Sequence, residues 1–205
     1  MRRTLLFIME WLWRLLFLNA IWLLFSLPIV TIIPATAAMF GVMDRLVRED
    51  QDEPDFKVFF REFKRLFLKS YPLGLSIVII GGLLFVDLLI LRNAISDMTE
   101  IIRVAVLAFT LLFLIAVSYS FPVFLRYEYP WYKTLFFSFM LGVRKPVITF
   151  LMSCGFLLIL LLLLFVTGIG VLLIASLTAL ISTVSAHYII NRLPKITLKE
   201  ADENL

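Results

Sequence analysis

Long runs without a charged residue divide this chain. There is none from Leu15 to Met43, none across residues 104–125 and none from Pro146 to Asn191, while Tyr71 to Leu91 carries only Asp87. A helix needs about 20 apolar residues to cross a hydrocarbon layer of roughly 30 Å, so 71–91 and 104–125 each predict one span. The run from 146 to 191 is long enough for two spans. Thr167-Gly168-Ile169-Gly170 near its middle supplies a flexible turn, which predicts spans at 146–166 and 171–191. Residues 15–43 would measure about 43 Å as a straight helix, too long for one perpendicular crossing. Pro28 and Pro34 are the expected kink positions, and Thr31 is placed to satisfy a backbone group that a proline frees. The predicted fold class is all-α: a polytopic membrane helix bundle of about five transmembrane helices plus interfacial amphipathic helices, in a single domain covering residues 1–205.

Three segments between the spans read as interfacial. In residues 3–14, Arg3, Glu10 and Arg14 form one polar stripe, and Trp11 and Trp13 suit the water–lipid boundary. In residues 55–69, Phe56, Phe59, Phe60, Phe63 and Phe67 recur at helical spacing, with Lys57, Arg61, Lys64, Arg65 and Lys69 on the other side. That pattern predicts either a helix on the lipid surface with its phenylalanines in the acyl region, or one packed on the protein's own body. Residues 126–145 mix Tyr127, Tyr129, Trp131 and Tyr132 with four basic residues.

Composition removes the soluble alternative. Apolar residues make up 62% of the chain, against about 45–50% in a soluble domain, and the charges are clustered between the spans. The 19 basic residues outnumber the 15 acidic ones. Their position beside apolar spans points to anionic lipid head groups at the cytoplasmic face and not to nucleic acid. Arg2 and Arg3 before an apolar run, with Ala35-Thr36-Ala37 downstream, resemble a signal peptide. The uncharged run exceeds the usual h-region, so the segment is expected to stay in the mature protein.

The positive-inside bias sets the orientation. With the 44–70 loop in the cytoplasm and five spans, 14 of the 19 basic residues lie inside and the amino terminus lies outside. In the rival arrangement residues 15–43 form a re-entrant hairpin bent at the prolines. The amino terminus is then cytoplasmic, and only Arg92 and Arg103 stay outside.

Material for chemistry is sparse. A single cysteine, Cys154, and a single histidine, His187, exclude an internal disulfide and the usual nucleophilic or metal constellations. No catalytic residue, metal site or cofactor is expected, and the chain does not read as an enzyme. Ionisable groups at membrane depth are the remaining candidates. Arg14, Asn19, Asp87 and Arg103 form a candidate polar cluster at one membrane face, with Asp87–Arg103 read either as a structural ion pair or as a solute or proton site. His187 is a candidate titrating residue or an interfacial hydrogen-bonding one. Ala175, Ala179, Ser182 and Ala186 repeat at helical spacing, which suits close helix packing in lipid.

The segment from Asn19 through Pro28, followed by Thr31, Pro34 and Ala35-Thr36-Ala37-Ala38, resembles the opening of the YesL-like family of bacterial integral membrane proteins. So does the stretch with Phe59-Phe60 and Phe63-Lys64. The resemblance implies a multi-pass protein of the bacterial cytoplasmic membrane and, through the genes that neighbour its members, a link to a carbohydrate ABC importer or a sensor protein. Two functional classes follow as expectations: an accessory or scaffold component of carbohydrate uptake or sensing, and a small-solute transporter or permease-like protein.

Overall fold

A computed structural model describes residues 2–48, 55–92, 97–165 and 169–191. These form eight α-helices: α1 (Arg2–Ser26), α2 (Ile32–Val47), α3 (Asp55–Leu66), α4 (Tyr71–Leu91), α5 (Asp97–Tyr127), α6 (Trp131–Arg144), α7 (Pro146–Phe165) and α8 (Ile169–Asn191). Among the described residues five segments are long and apolar enough to cross a membrane: Met9–Ser26, Ile29–Val47, Tyr71–Arg92, Glu100–Tyr127 and Leu173–Asn191. The α6–α7 pair, bent by 103°, is a sixth candidate. The outer faces of α4, α5 and α7 are apolar, with Leu83, Ile90, Phe109, Leu111, Phe150 and Leu158 all exposed. Contiguous apolar surface of that extent belongs in lipid.

The expected spans at 71–91, 146–166 and 171–191 correspond closely to α4, α7 and α8. The predicted Thr167–Gly170 turn lies partly outside the described residues, and residues 49–54 and the tail from Arg192 lie wholly outside them. The span expected at 104–125 is the core of the longer α5, which continues through Pro122.

The single first span, 15–43, is corrected: the chain forms two helices there. Pro28 lacks an N–H and takes an extended backbone with ψ 120°, so α1 stops at Ser26. A short 3-10 turn at Ile29–Thr31 leads into α2, whose first turn accommodates Pro34 because donors there have no helical partner. The Thr31 hydroxyl lies 2.5 Å from the Phe25 carbonyl and 2.7 Å from that of Pro28, adding a side-chain donor at the break to the Thr31 N–H that the Pro28 carbonyl also accepts at 2.9 Å. Beyond it α2 doubles back on α1, and Trp22 Nε1 donates to Thr36 Oγ1 at 3.1 Å across the fold. The interfacial segment expected at 3–14 is correspondingly the first half of α1. Residues 126–145 prove to be the end of α5, a three-residue link and α6.

Small residues set the helix contacts, as expected where lipid removes the hydrophobic drive for helices to associate. Ala179, Ser182 and Ala186 of α8 are buried, and Ala35, Ala38, Val42 and Ala179 share one core with Leu15, Leu18 and Ile21 of α1. Gly74 admits Ile33, so the tip of the α1–α2 hairpin rests beside the first turn of α4. Tyr71 strengthens that seat by donating to the Val30 carbonyl at 2.8 Å. Gly142 likewise admits Ile115 of α5. There Tyr119 is fully buried, with its hydroxyl 3.2 Å from Thr149.

Candidate functional site

The inward stripe of α3 is Val58, Phe59, Glu62 and Leu66. A carboxylate among apolar neighbours is costly unless paired. Glu62 is 2% exposed, and two arginines meet it. Arg45 of α2 donates to its Oε1 at 2.8 Å, and Arg65, one turn along α3, places a guanidinium nitrogen 2.9 Å from Oε2. The Oε2 contact is an ion pair without aligned hydrogen-bond geometry. Gly41 makes the approach possible, since a Cβ there would stand 3.1 Å from the Glu62 Cγ.

Around this triad lies a cavity of about 250 Å³ lined by Gly41, Asp44, Arg45, Arg48, Glu62, Arg65, Leu125 and Arg126. Arg48 pairs with Asp44 at 2.9 Å along α2. Arg126, in the last turn of α5, donates to the neutral Asn191 Oδ1 at 3.2 Å. The Asn191 amide nitrogen lies 2.8 Å from His187 Nε2. With Oδ1 accepting from Arg126, Asn191 is the donor and His187 Nε2 the acceptor. A basic residue in the last turn of a helix is favoured by the helix dipole, by about 0.3–1 kcal/mol. That accounts for Arg45, Arg65 and Arg126 singly, but not for their convergence on one cavity. Among the described residues four guanidiniums face two carboxylates, which leaves a positive surplus.

Nearby, Lys69 Nζ holds Glu128 at 2.8 Å. This bond keeps the Glu128 carboxyl below its usual range. The tie is therefore present above that range and is lost as pH falls through the depressed value. Glu128 takes a left-handed backbone, φ 50°, and its N–H closes α5 onto the Phe124 carbonyl at 2.9 Å.

The polar cluster expected from Arg14, Asn19, Asp87 and Arg103 is not assembled as a set of ion pairs. Arg14 pairs with Glu10 at 3.2 Å and Arg103 with Glu100, each one turn away on its own helix. Asn19 is fully buried in α1. Asp87 is exposed on α4, and among the described residues no ion pair joins it to Arg103. The same-helix partners at i−3 and i−4 win because they need no second helix in register.

The helix expected at 55–69 is present over Asp55–Leu66, with its faces turned. Phe59 is fully buried, 5.3 Å from the Phe25 ring, and Phe63 is 5.1 Å from it. Phe67 meets Tyr71 at 5.8 Å. Phe56 and Phe60 are exposed and stacked at 6.4 Å, with Lys64 over the Phe60 ring. The helix packs on the protein through one stripe and offers Phe56 and Phe60 outward. Of its basic residues, Arg65 and Lys69 are committed to ion pairs within the protein; Lys57, Arg61 and Lys64 lie exposed along its outer side. Glu62 was the missed residue. Its signal was an acid on the apolar stripe, three residues after Phe59 and four before Leu66.

These features define a polytopic helical membrane protein whose built ionic network gathers at one end of the bundle, where α2, α3 and α5 finish. The chain belongs to the DUF624 family, a family of proteins of unknown function, whose model matches residues 15–88. It is 37% identical over 148 residues to the uncharacterized protein YesL of Bacillus subtilis (strain 168), covering 71% of this chain and 69% of YesL. From the same organism, the uncharacterized protein YesV is 32% identical over 161 residues, covering 72% of this chain and 74% of its own length. The uncharacterized protein YteU is 33% identical over 135 residues, with coverage of 64% and 60%. No solved structure matches the chain.

Proposed function

We propose that this protein is a non-enzymatic accessory component of the bacterial cytoplasmic membrane that presents its charged end to a partner in the cytoplasm, in keeping with the expected link to a carbohydrate importer or its sensor. The observation that carries the reading is the contrast between the charged end and a pocket on the flank of α5 and α7. At the charged end, side chains from three helices build a water-facing network around Glu62. On the flank of α5 and α7, the pocket of about 280 Å³ beside Ser118, Thr149 and Ser153 has hydroxyls already donating to helix carbonyls, at 2.7, 2.7 and 2.9 Å. Hydroxyls engaged in this way stabilise helices and leave little for a passing solute.

In the orientation that fits this reading, the α1–α2 pair enters from the cytoplasm and returns to it. Both termini are then cytoplasmic, and only Arg92 and Arg103 among the basic residues lie outside.

Co-purification of the full chain from mild detergent, with crosslinking beforehand, tests the function. The expected result is a stoichiometric importer or sensor subunit, lost when Arg126 and Arg48 are replaced by Gln, together with no solute uptake by the chain alone in liposomes. Uptake by the isolated chain would instead favour the transporter reading.

A further inference from the structure

The geometry points to the arginine cavity as a binding site for a phosphate group, presented either as free phosphate or on an anionic lipid head group. This inference concerns a ligand and does not depend on the accessory reading.

The four arginines are not equivalent. Arg45 and Arg65 are held by the buried Glu62, and Arg48 is held by Asp44. Arg126 has a neutral amide as its hydrogen-bond partner, Asn191 at 3.2 Å, and among the described residues no carboxylate pairs with it. A guanidinium donates in a planar fork that matches phosphate oxygens, and it keeps its charge at any physiological pH. Arg48, with a side chain 38% exposed, can turn one edge to a ligand while the other stays with Asp44. Arg65, 44% exposed, has the same freedom beside Glu62.

The size of the cavity, about 250 Å³, is below the roughly 300–1,000 Å³ of drug-sized sites, which suits a single small anion or head group. One wall is Leu125, and an apolar wall strengthens charge–charge attraction by excluding water. The cavity sits at a helix-end level of a membrane protein, where the phosphates of anionic lipids are concentrated. A carboxylate ligand would use fewer of these donors, because it offers two oxygens where phosphate offers three or four.

The test uses the full chain, purified in a neutral detergent without phosphate, and two variants that leave the Glu62 triad intact. Arg126→Gln removes the uncompensated charge, and Asp44→Asn raises the positive surplus by one. In one arm inorganic phosphate is titrated at constant ionic strength, with chloride as the control, and binding is read from thermal stabilisation. In the other arm native mass spectrometry counts phosphatidylglycerol against a neutral lipid on protein released from nanodiscs. Phosphate or phosphatidylglycerol should bind selectively, about tenfold more weakly to Arg126→Gln and several-fold more tightly to Asp44→Asn, as charge-assisted bonds require. A response in the first arm alone assigns the site to free phosphate. A response in the second alone assigns it to a lipid head group. A gain in Asp44→Asn cannot come from misfolding, which keeps the test decisive if Arg126→Gln folds poorly. The inference is overturned if neither ligand binds selectively, or if both variants bind as the parent does.

Discussion

Replacing both Arg45 and Arg65 by Met should cost the protein about 3 kcal/mol of stability, the scale of stranding a buried carboxylate. Glu62 is 2% exposed, whereas its two partners expose 34% and 44% of their side chains. The penalty therefore falls on the acid left behind, since a freed arginine reaches water. Either single replacement should cost less than half of the double, because the remaining guanidinium still faces the carboxylate and exposed charges are well screened. Adding Glu62→Leu to the double variant should restore most of the loss, as buried ionic groups replaced by apolar residues of similar volume often do. Unfolding of the parent and the four variants by SDS in mixed micelles reads these differences. A triple variant as unstable as the double would mean that packing, and not the unpaired carboxylate, dominates.

The second large effect is expected at Gly74. A Cβ at this position would overlap the Ile33 side chain, and Ile is stiff at χ1. Gly74→Ala in the parent should therefore destabilise by about 1–3 kcal/mol, the usual cost of overpacking. That outweighs the gain of roughly 0.8–1 kcal/mol from replacing glycine within a helix. With Ile33 first changed to Ala the clash is gone, and the same Gly74→Ala change should be neutral or stabilising. The reversal of sign isolates the contact between the hairpin tip and α4. An equal cost in both backgrounds would place the hairpin elsewhere.

How far the fold could be read from the sequence depended on how each element meets its surroundings. Helix α4 coincides with the expected span because charged or polar neighbours bound a single apolar run. The α1–α2 hairpin was hidden because each arm includes a charged flank, Glu10 and Arg14 in one and Asp44 and Arg45 in the other. A charge-free window therefore shows only the shared middle, and the proline signal allowed a kink as readily as a reversal. The phenylalanine pattern located α3 but not its rotation, since Val58 and Leu66 compete with Phe56 and Phe60 for the inward stripe. The cavity needed contacts between residues as distant as Gly41, Glu62 and Arg126. Only the helix-end positions of its arginines could be seen beforehand. Arg103 pairs locally, with Glu100 one turn before it, a partner that the reading of Asp87 beside Arg103 did not weigh.

Site-directed labelling tests the central claim that both arms of the amino-terminal hairpin return to the side that bears the charged network. Cys154 is first replaced by Ser, and single cysteines are then placed at Leu6, Lys57 and Arg92. Whole cells are treated with a membrane-impermeant maleimide before and after permeabilisation. The account predicts that Leu6→Cys and Lys57→Cys react only after permeabilisation, whereas Arg92→Cys reacts in intact cells. Labelling of Leu6→Cys in intact cells, with Lys57→Cys still protected, would contradict it and restore a single crossing by residues 15–43.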